Sequence, residues 1–192
     1  MTKNPSENFK YLGKVNIKTI KESLDKLDWE KFVYRQQSYA VHKHTQSVPL
    51  IFDNDSIYQK DCRNNPTYHK DFNICENFLT KLKQKFKKKF GEGFIIRALL
   101  VKLKNNSAIS PHMDTGVSLS SCNRVHIPIA TNRQVIFTVG EESKYLKVGE
   151  MWEINNSRKL HSVCNSSNKN RVHLIVDWMK QCGIKDLQRD VL

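Results

Sequence analysis

Three residues carry the chemistry that the sequence most directly suggests. His112 and Asp114, in Pro-His-Met-Asp, are two positions apart, so on an extended chain both side chains project from one face and could clasp one ion. His161, in RKLHSVCN, lies far along the chain on another strand-like segment, which a closed barrel would bring alongside. Two neutral imidazoles and one carboxylate, leaving other coordination positions open, suit non-haem Fe(II) and oxygen chemistry. Zinc could occupy the same ligands. A lone H-x-[DE] is weak evidence, and a surface pair is the competing reading of His112 and Asp114.

Iron of this type needs an electron source. The commonest is 2-oxoglutarate, a dicarboxylate whose distal carboxylate calls for a buried cation. Arg171 opens the run RVHLIVDW ten residues after His161, and its guanidinium could grip a carboxylate through two parallel hydrogen bonds. Taken alone, Arg171 would read as an ordinary strand-edge arginine. Arg124 and His126 repeat the pattern, placing two polar groups on one face of an otherwise apolar strand. Burial without partners is strongly unfavourable, so either both lie at the surface or both meet an anion.

The elements that must position these residues follow from periodicity. Ile17, Ile20, Leu24 and Leu27 stand at helical spacing after Asn16, which predicts a first amphipathic helix over Ile17 to Trp29. Residues 32 to 53 mix aromatic and β-branched with polar residues in near-alternation, predicting one or two strands. A second helix is marked by Asn73 as cap, Glu76 three residues on, Phe78, Leu82, Phe86 and Phe90 four apart, and Gly91 as stop. From Phe94 the runs FIIRALLVKL, RVHIPIA, QVIFTV, KYLKV, EMWEI and RVHLIVDWM are strand-like, and NNSAIS reads as a polar turn. Strands following helices in this way predict an α+β protein whose C-terminal half is a sandwich or barrel of jelly-roll type, with the chemistry in its mouth.

Composition limits the alternatives. At 192 residues, with 39% hydrophobic residues, the chain is expected to form one domain with a real core. No run approaches the roughly 18 apolar residues of a membrane span, and the N-terminus lacks an apolar signal region, so a cytoplasmic protein is expected. Five scattered cysteines without C-x-x-C indicate reduced thiols rather than a disulfide framework or a thiolate zinc site. The net charge of +13 could attract nucleic acid, anionic lipid or acidic protein, but the Lys81 to Lys89 run reads as the solvated face of the second helix.

PHMD, RVHIPIATN, GEMWEINN, the isolated His161 and NRVHLIVDW, in this order and at these spacings, resemble the aspartyl/asparaginyl β-hydroxylase family of Fe(II)/2-oxoglutarate-dependent dioxygenases, which also includes free-proline hydroxylases. The resemblance runs from about Phe94 to Trp178, with weaker similarity in SYAVHKHTQSVPLIF. It implies a double-stranded β-helix (jelly-roll, cupin-like) core over residues 93–180, with the helices and strands of 15–92 packed on it, in one domain spanning 1–192. It also implies Fe(II) held by His112, Asp114 and His161, the distal carboxylate of 2-oxoglutarate bound by Arg171, and Arg124 and His126 lining the cosubstrate site. His42 and Thr45 would contact substrate. The implied reaction uses O2 to hydroxylate an amino-acid side chain while 2-oxoglutarate becomes succinate. The expected substrate is of aspartyl/asparaginyl type in a peptide or protein, the alternative a free amino acid such as proline. A nucleic-acid oxygenase is disfavoured because Arg171 is followed by VHLIVD rather than by a second arginine. A non-catalytic jelly-roll binding module is disfavoured by retention of all three ligands.

Overall fold

The computed structural model describes residues 7–30, 36–37, 39–52, 67–68 and 72–181. Among them, strands β1 (Phe9–Lys14), β2 (Thr45–Phe52), β3 (Thr67–Tyr68), β4 (Gly93–Leu103), β6 (Asn123–Ala130), β9 (Glu150–Ile154) and β11 (Arg171–Lys180) form one antiparallel sheet in the order β1-β9-β6-β11-β4-β2-β3. Strands β5 (Ser107–His112), β7 (Val135–Val139), β8 (Glu142–Lys144) and β10 (His161–Asn165) form a second sheet in the order β5-β10-β7-β8. From β4 onward the chain crosses repeatedly between the two sheets, which is the winding of a double-stranded β-helix.

The period of two in the long strands decides what faces what. Val172, Leu174, Val176 and Trp178 of β11, with Val125, Ile127 and Ile129 of β6, join the core formed with helix α2 (Phe72–Phe90). Helix α2 contributes Cys75, Phe78, Leu79, Leu82 and Phe86 to that core. The alternate residues, Arg171, His173, Ile175 and Asp177 on β11 and Arg124 and His126 on β6, therefore turn to the space between the sheets. A second core lies there, built from Phe9, Leu103, Ile109, Phe137, Val139 and Val163 among others. The sheet thus keeps its aliphatic face for the helix and its polar face for the barrel interior. The polar face can persist only if its groups pair with one another or with a ligand.

Several sequence expectations change in detail. The first helix is shorter than its periodicity suggested: α1 (Lys18–Glu22) passes at Ser23 into a 3-10 turn over Leu24–Lys26. Ser23 Oγ donates to the Thr19 carbonyl at 2.9 Å, a side-chain bond that competes with the regular ladder. Asn16 Oδ1 does accept the Lys18 N–H at 3.0 Å. Asn73 lies inside the first turn of α2 rather than capping it, while Gly91, at φ +91°, ends that helix where a Cβ would be strained. Of the 32–53 segment, Thr45–Phe52 is a strand and Ala40–His42 a 3-10 turn, with residues 32–35, 38 and 53 outside the described set.

NNSAIS is mostly not a turn. Asn105 and Asn106 turn the chain, Asn106 in the left-handed region at φ 47°, and Ser107 begins β5. KYLKV is mostly not a strand, since β8 ends at Lys144. The following residues loop back so that the Lys147 N–H meets Glu150 Oε2 at 3.0 Å, ahead of Gly149 at φ +75°. Strand β1, absent from the sequence reading, pairs with β9 through a bulge at Leu12, between Tyr11 and Gly13. No helix among the described residues is long and apolar enough to cross a membrane.

Candidate active site

His112 closes β5 and His161 opens β10, and the two are direct partners in the antiparallel register of the smaller sheet. Their rings lie 4.2 Å apart, centroid to centroid. Asp114 stands in the irregular segment after β5. Its N–H donates to the Asn156 carbonyl at 2.9 Å, which turns the carboxylate back toward the two imidazoles. One ligand atom from each of His112, Asp114 and His161 lies within 4.8 Å of the others.

Protonation prepares this trio for a cation. His112 Nδ1 is 2.8 Å from the Ser110 carbonyl, which can only accept, so Nδ1 carries a proton and Nε2 is the ring nitrogen left to face a ligand. That Nε2 is 3.9 Å from Asp114 Oδ1. Burial drives the His161 pKa down to about 4, outweighing the attraction of Asp114, so its ring is neutral at pH 7. For Asp114 burial acts to raise the pKa. The opposing pull of Arg124, His161, the Asn156 hydrogen bond and His112 prevails, and the group stays well below the usual carboxylate range. The neutral His161 imidazole and the ionised Asp114 carboxylate are in the states a divalent cation requires of its ligands.

The same pocket runs from His42 and the trio past Arg124, His126, Phe137 and Ile175 to Arg171. Arg171 is 1% exposed. Its Nη2 donates to His173 Nδ1 at 2.6 Å, its Nε finds no acceptor, and among the described residues no carboxylate pairs with it. Burial lowers its pKa to about 9, which still leaves a cation at pH 7. Both ring nitrogens of the buried His126 also lack partners among the described residues, and burial followed by Arg171 holds that ring neutral. A buried guanidinium with an open edge beside an unsatisfied imidazole fits a carboxylate ligand.

Arg124 and Thr45 both have partners within the chain itself. Arg124 lines the pocket, but its guanidinium is committed to protein carboxylates. Its Nε and Nη2 donate to Asp177 Oδ1 and Oδ2 at 2.8 and 2.7 Å, and its Nη1 donates to Asp114 Oδ2. Of the alternatives the sequence left open, Arg124 does meet anions, but they belong to the chain itself. Thr45 does not line the pocket; its buried hydroxyl donates to the His42 carbonyl at 2.8 Å. His42 does line it, with its ring 5.9 Å from that of His112.

Sequence reasoning missed Asp177 and Asn156. Asn156 Nδ2 donates to Asp114 Oδ2 at 2.8 Å. Both residues lie inside quoted motifs, and an acidic residue within the apolar run of a central strand was a signal that it needed a buried partner.

No curated protein matches the sequence. Among solved structures, an oxidoreductase of the 2OG-Fe(II) oxygenase family from Burkholderia pseudomallei shares the fold with a TM-score of 0.54 and 17% identity, over 70% of this chain and 66% of that one. The chain thus spans just under two thirds of that protein. A prolyl-4-hydroxylase from Pseudomonas putida has a TM-score of 0.54 and 8% identity over 92% of this chain and 94% of its own. The sequence also matches a family model, described as aspartyl/asparaginyl beta-hydroxylase, over residues 6–181. With nearly the whole chain matched, this protein belongs to the aspartyl/asparaginyl β-hydroxylase family of Fe(II)/2-oxoglutarate-dependent dioxygenases.

Proposed function

We propose that this chain hydroxylates an amino-acid side chain using Fe(II), 2-oxoglutarate and O2, and that the side chain is of aspartyl or asparaginyl type in a peptide or protein. The observation that carries the proposal is Arg171: a buried cation with no carboxylate partner among the described residues, in one pocket with His112, Asp114 and His161. In this reading the trio holds the iron, and Arg171 takes the distal carboxylate of 2-oxoglutarate. When bound, iron with 2-oxoglutarate and O2 supplies the oxidising power to place a hydroxyl on an unactivated C–H bond, the cosubstrate leaving as succinate and carbon dioxide.

The chain's own residues bind, orient and exclude. Val101, Ile109, Phe137, Val163 and Ile175 line the pocket between the two polar ends and keep it poor in water, so that each charge–charge contact inside is strengthened. Phe137 stacks between His161, 6.3 Å away at 8°, and His173, 6.5 Å away at 10°, and so fixes the spacing of the two ends. His42 stands at the pocket on a 3-10 turn and is the residue we assign to substrate contact. A free amino acid such as proline is the second reading, and the prolyl-4-hydroxylase neighbour is compatible with it.

Fe(II) and 2-oxoglutarate added to the protein without oxygen should give a visible charge-transfer band that is lost in Asp114→Ala and His161→Ala. Absence of the band with intact protein would refute the proposal. Mass spectrometry after aerobic incubation then separates the substrate readings, since either a peptide or a free amino acid gains one oxygen atom.

A further inference from the structure

We infer that Asp177 is the positioning residue for the metal-binding carboxylate, acting through Arg124. The inference rests on the reading of Asp114 as a ligand. Asp177 is 0% exposed at the centre of the larger sheet, directly opposite Arg124 on β6 and Arg97 on β4. Arg97 Nη1 lies 3.5 Å from Asp177 Oδ2 on one side. On the other side Arg124 engages Asp177 fork to fork, at 2.8 and 2.7 Å.

A guanidinium is planar, so a carboxylate that takes the Nε and Nη2 edge fixes the plane and leaves Nη1 pointing in one direction. Here that direction is Asp114 Oδ2. Asn156 Nδ2 donates to the same oxygen. Two donors therefore hold Oδ2, and Oδ1, which faces His112 Nε2, carries no donor among the described residues. Asp114 follows the end of β5 and has no strand to set its side chain; the Asn156 backbone bond turns the residue toward the imidazoles, and this chain of charges anchored in the sheet fixes the carboxylate itself. The four groups Arg97, Asp177, Arg124 and Asp114 balance in charge, which allows the assembly to remain buried.

The test is Co(II) titration of the metal-free protein, read by its visible absorption, for wild type, Asp177→Asn, His161→Ala and Leu100→Ala. The amide introduced by Asp177→Asn keeps the shape of the carboxylate but not the charge that fixes the fork. This variant should weaken Co(II) binding by about tenfold or more, the usual scale for an outer partner of a metal ligand. Leu100 lies in the helix-side core away from the site, so Leu100→Ala lowers stability and should leave Co(II) affinity unchanged. Wild-type affinity in Asp177→Asn, or an equal loss in Leu100→Ala, overturns the inference. If Asp177→Asn does not fold, Arg124→Lys takes its place: a lysine cannot reach both carboxylates, and unchanged affinity there also overturns it. A wild-type protein whose Co(II) binding is unaffected by His161→Ala would instead remove the metal reading itself, a separate outcome.

Discussion

Replacing Arg171 by methionine separates what the guanidinium costs the fold from what it does for a ligand. Burial lowers its pKa from 12.5 to about 9. The unfolded chain therefore holds this proton more tightly between those limits, and below pH 9 the folded state carries the full penalty. At 1.36 kcal/mol per pH unit, that penalty is about 5 kcal/mol. Against it stands the hydrogen bond to His173 Nδ1, whose loss leaves a buried imidazole nitrogen unpaired at a cost of about 1–3 kcal/mol. Methionine is apolar and adaptable enough to fill the stem's volume. The ligand-free variant should therefore be more stable than wild type by about 2–4 kcal/mol, a rise in Tm of roughly 4–16 °C for a chain of this size. In the wild-type protein with metal, 2-oxoglutarate at a hundred times its Kd should add about 2.7 kcal/mol, and in the variant this increment should vanish. Calorimetry of the two proteins, with and without metal and 2-oxoglutarate, reads both effects. A variant that melts below wild type and still gains stability from 2-oxoglutarate would refute the reasoning.

Acid should weaken the metal-free fold. Below pH 6.5 an unfolded histidine takes a proton that folded His161 refuses until about pH 4, a loss of about 2 kcal/mol at pH 5. Burial depresses His126 and His173 in the same direction. The denaturant midpoint should then fall from pH 7 to pH 5, and a flat or rising midpoint would contradict three neutral buried rings. Gly93→Ala would place a Cβ 2.2 Å from the Met179 carbonyl oxygen and 2.9 Å from the Trp178 ring. The expected loss is about 3 kcal/mol, and a variant as stable as wild type would show that β4 and β11 can separate there at no penalty. Thr45→Val removes the bond to the His42 carbonyl, costs about 1 kcal/mol, and frees the turn that carries His42. Steady-state kinetics should show KM for the substrate rising while kcat holds, whereas a collapse of kcat alone would place Thr45 in the chemistry.

Period-two alternation made most of the fold legible, because β6 and β11 carry aliphatic residues on one parity and polar residues on the other, and both parities are buried. Alternation also explains what was hidden. SAISPH has too few apolar residues to signal a strand, yet Ser107–His112 pairs with β10 at the sheet's edge, where outward positions face solvent. KYLKV has the alternation without the strand, because Leu146 is buried from a loop whose backbone turns toward Glu150. FKYLGK is a weak strand signal because its glycine interrupts the pattern next to Leu12, the residue bulged out of the register with β9. The first helix had its apolar spacing right, but spacing cannot reveal that Ser23 will bond back to Thr19.

At the site, residue types and strand parity are local properties, whereas the choice of electrostatic partner is not. The sequence could say that Arg124 and Arg171, if their strands were inner ones, would each meet an anion. It could not say which, since a cosubstrate carboxylate and an aspartate 53 residues away satisfy a guanidinium equally well. The pairing is settled by register, which sets Asp177 opposite Arg124 and Arg97 while Arg171 sits beside Leu103, an apolar neighbour. Counting the interior charges of β4, β6 and β11 together with Asp114 gives three arginines and two aspartates. The two aspartates lie at the Arg97 and Arg124 end, so among the described residues the cation without a carboxylate is Arg171, at the other end of the pocket. In the proposed reading the external carboxylate therefore goes to Arg171 and not to Arg124, whose partners the register supplies.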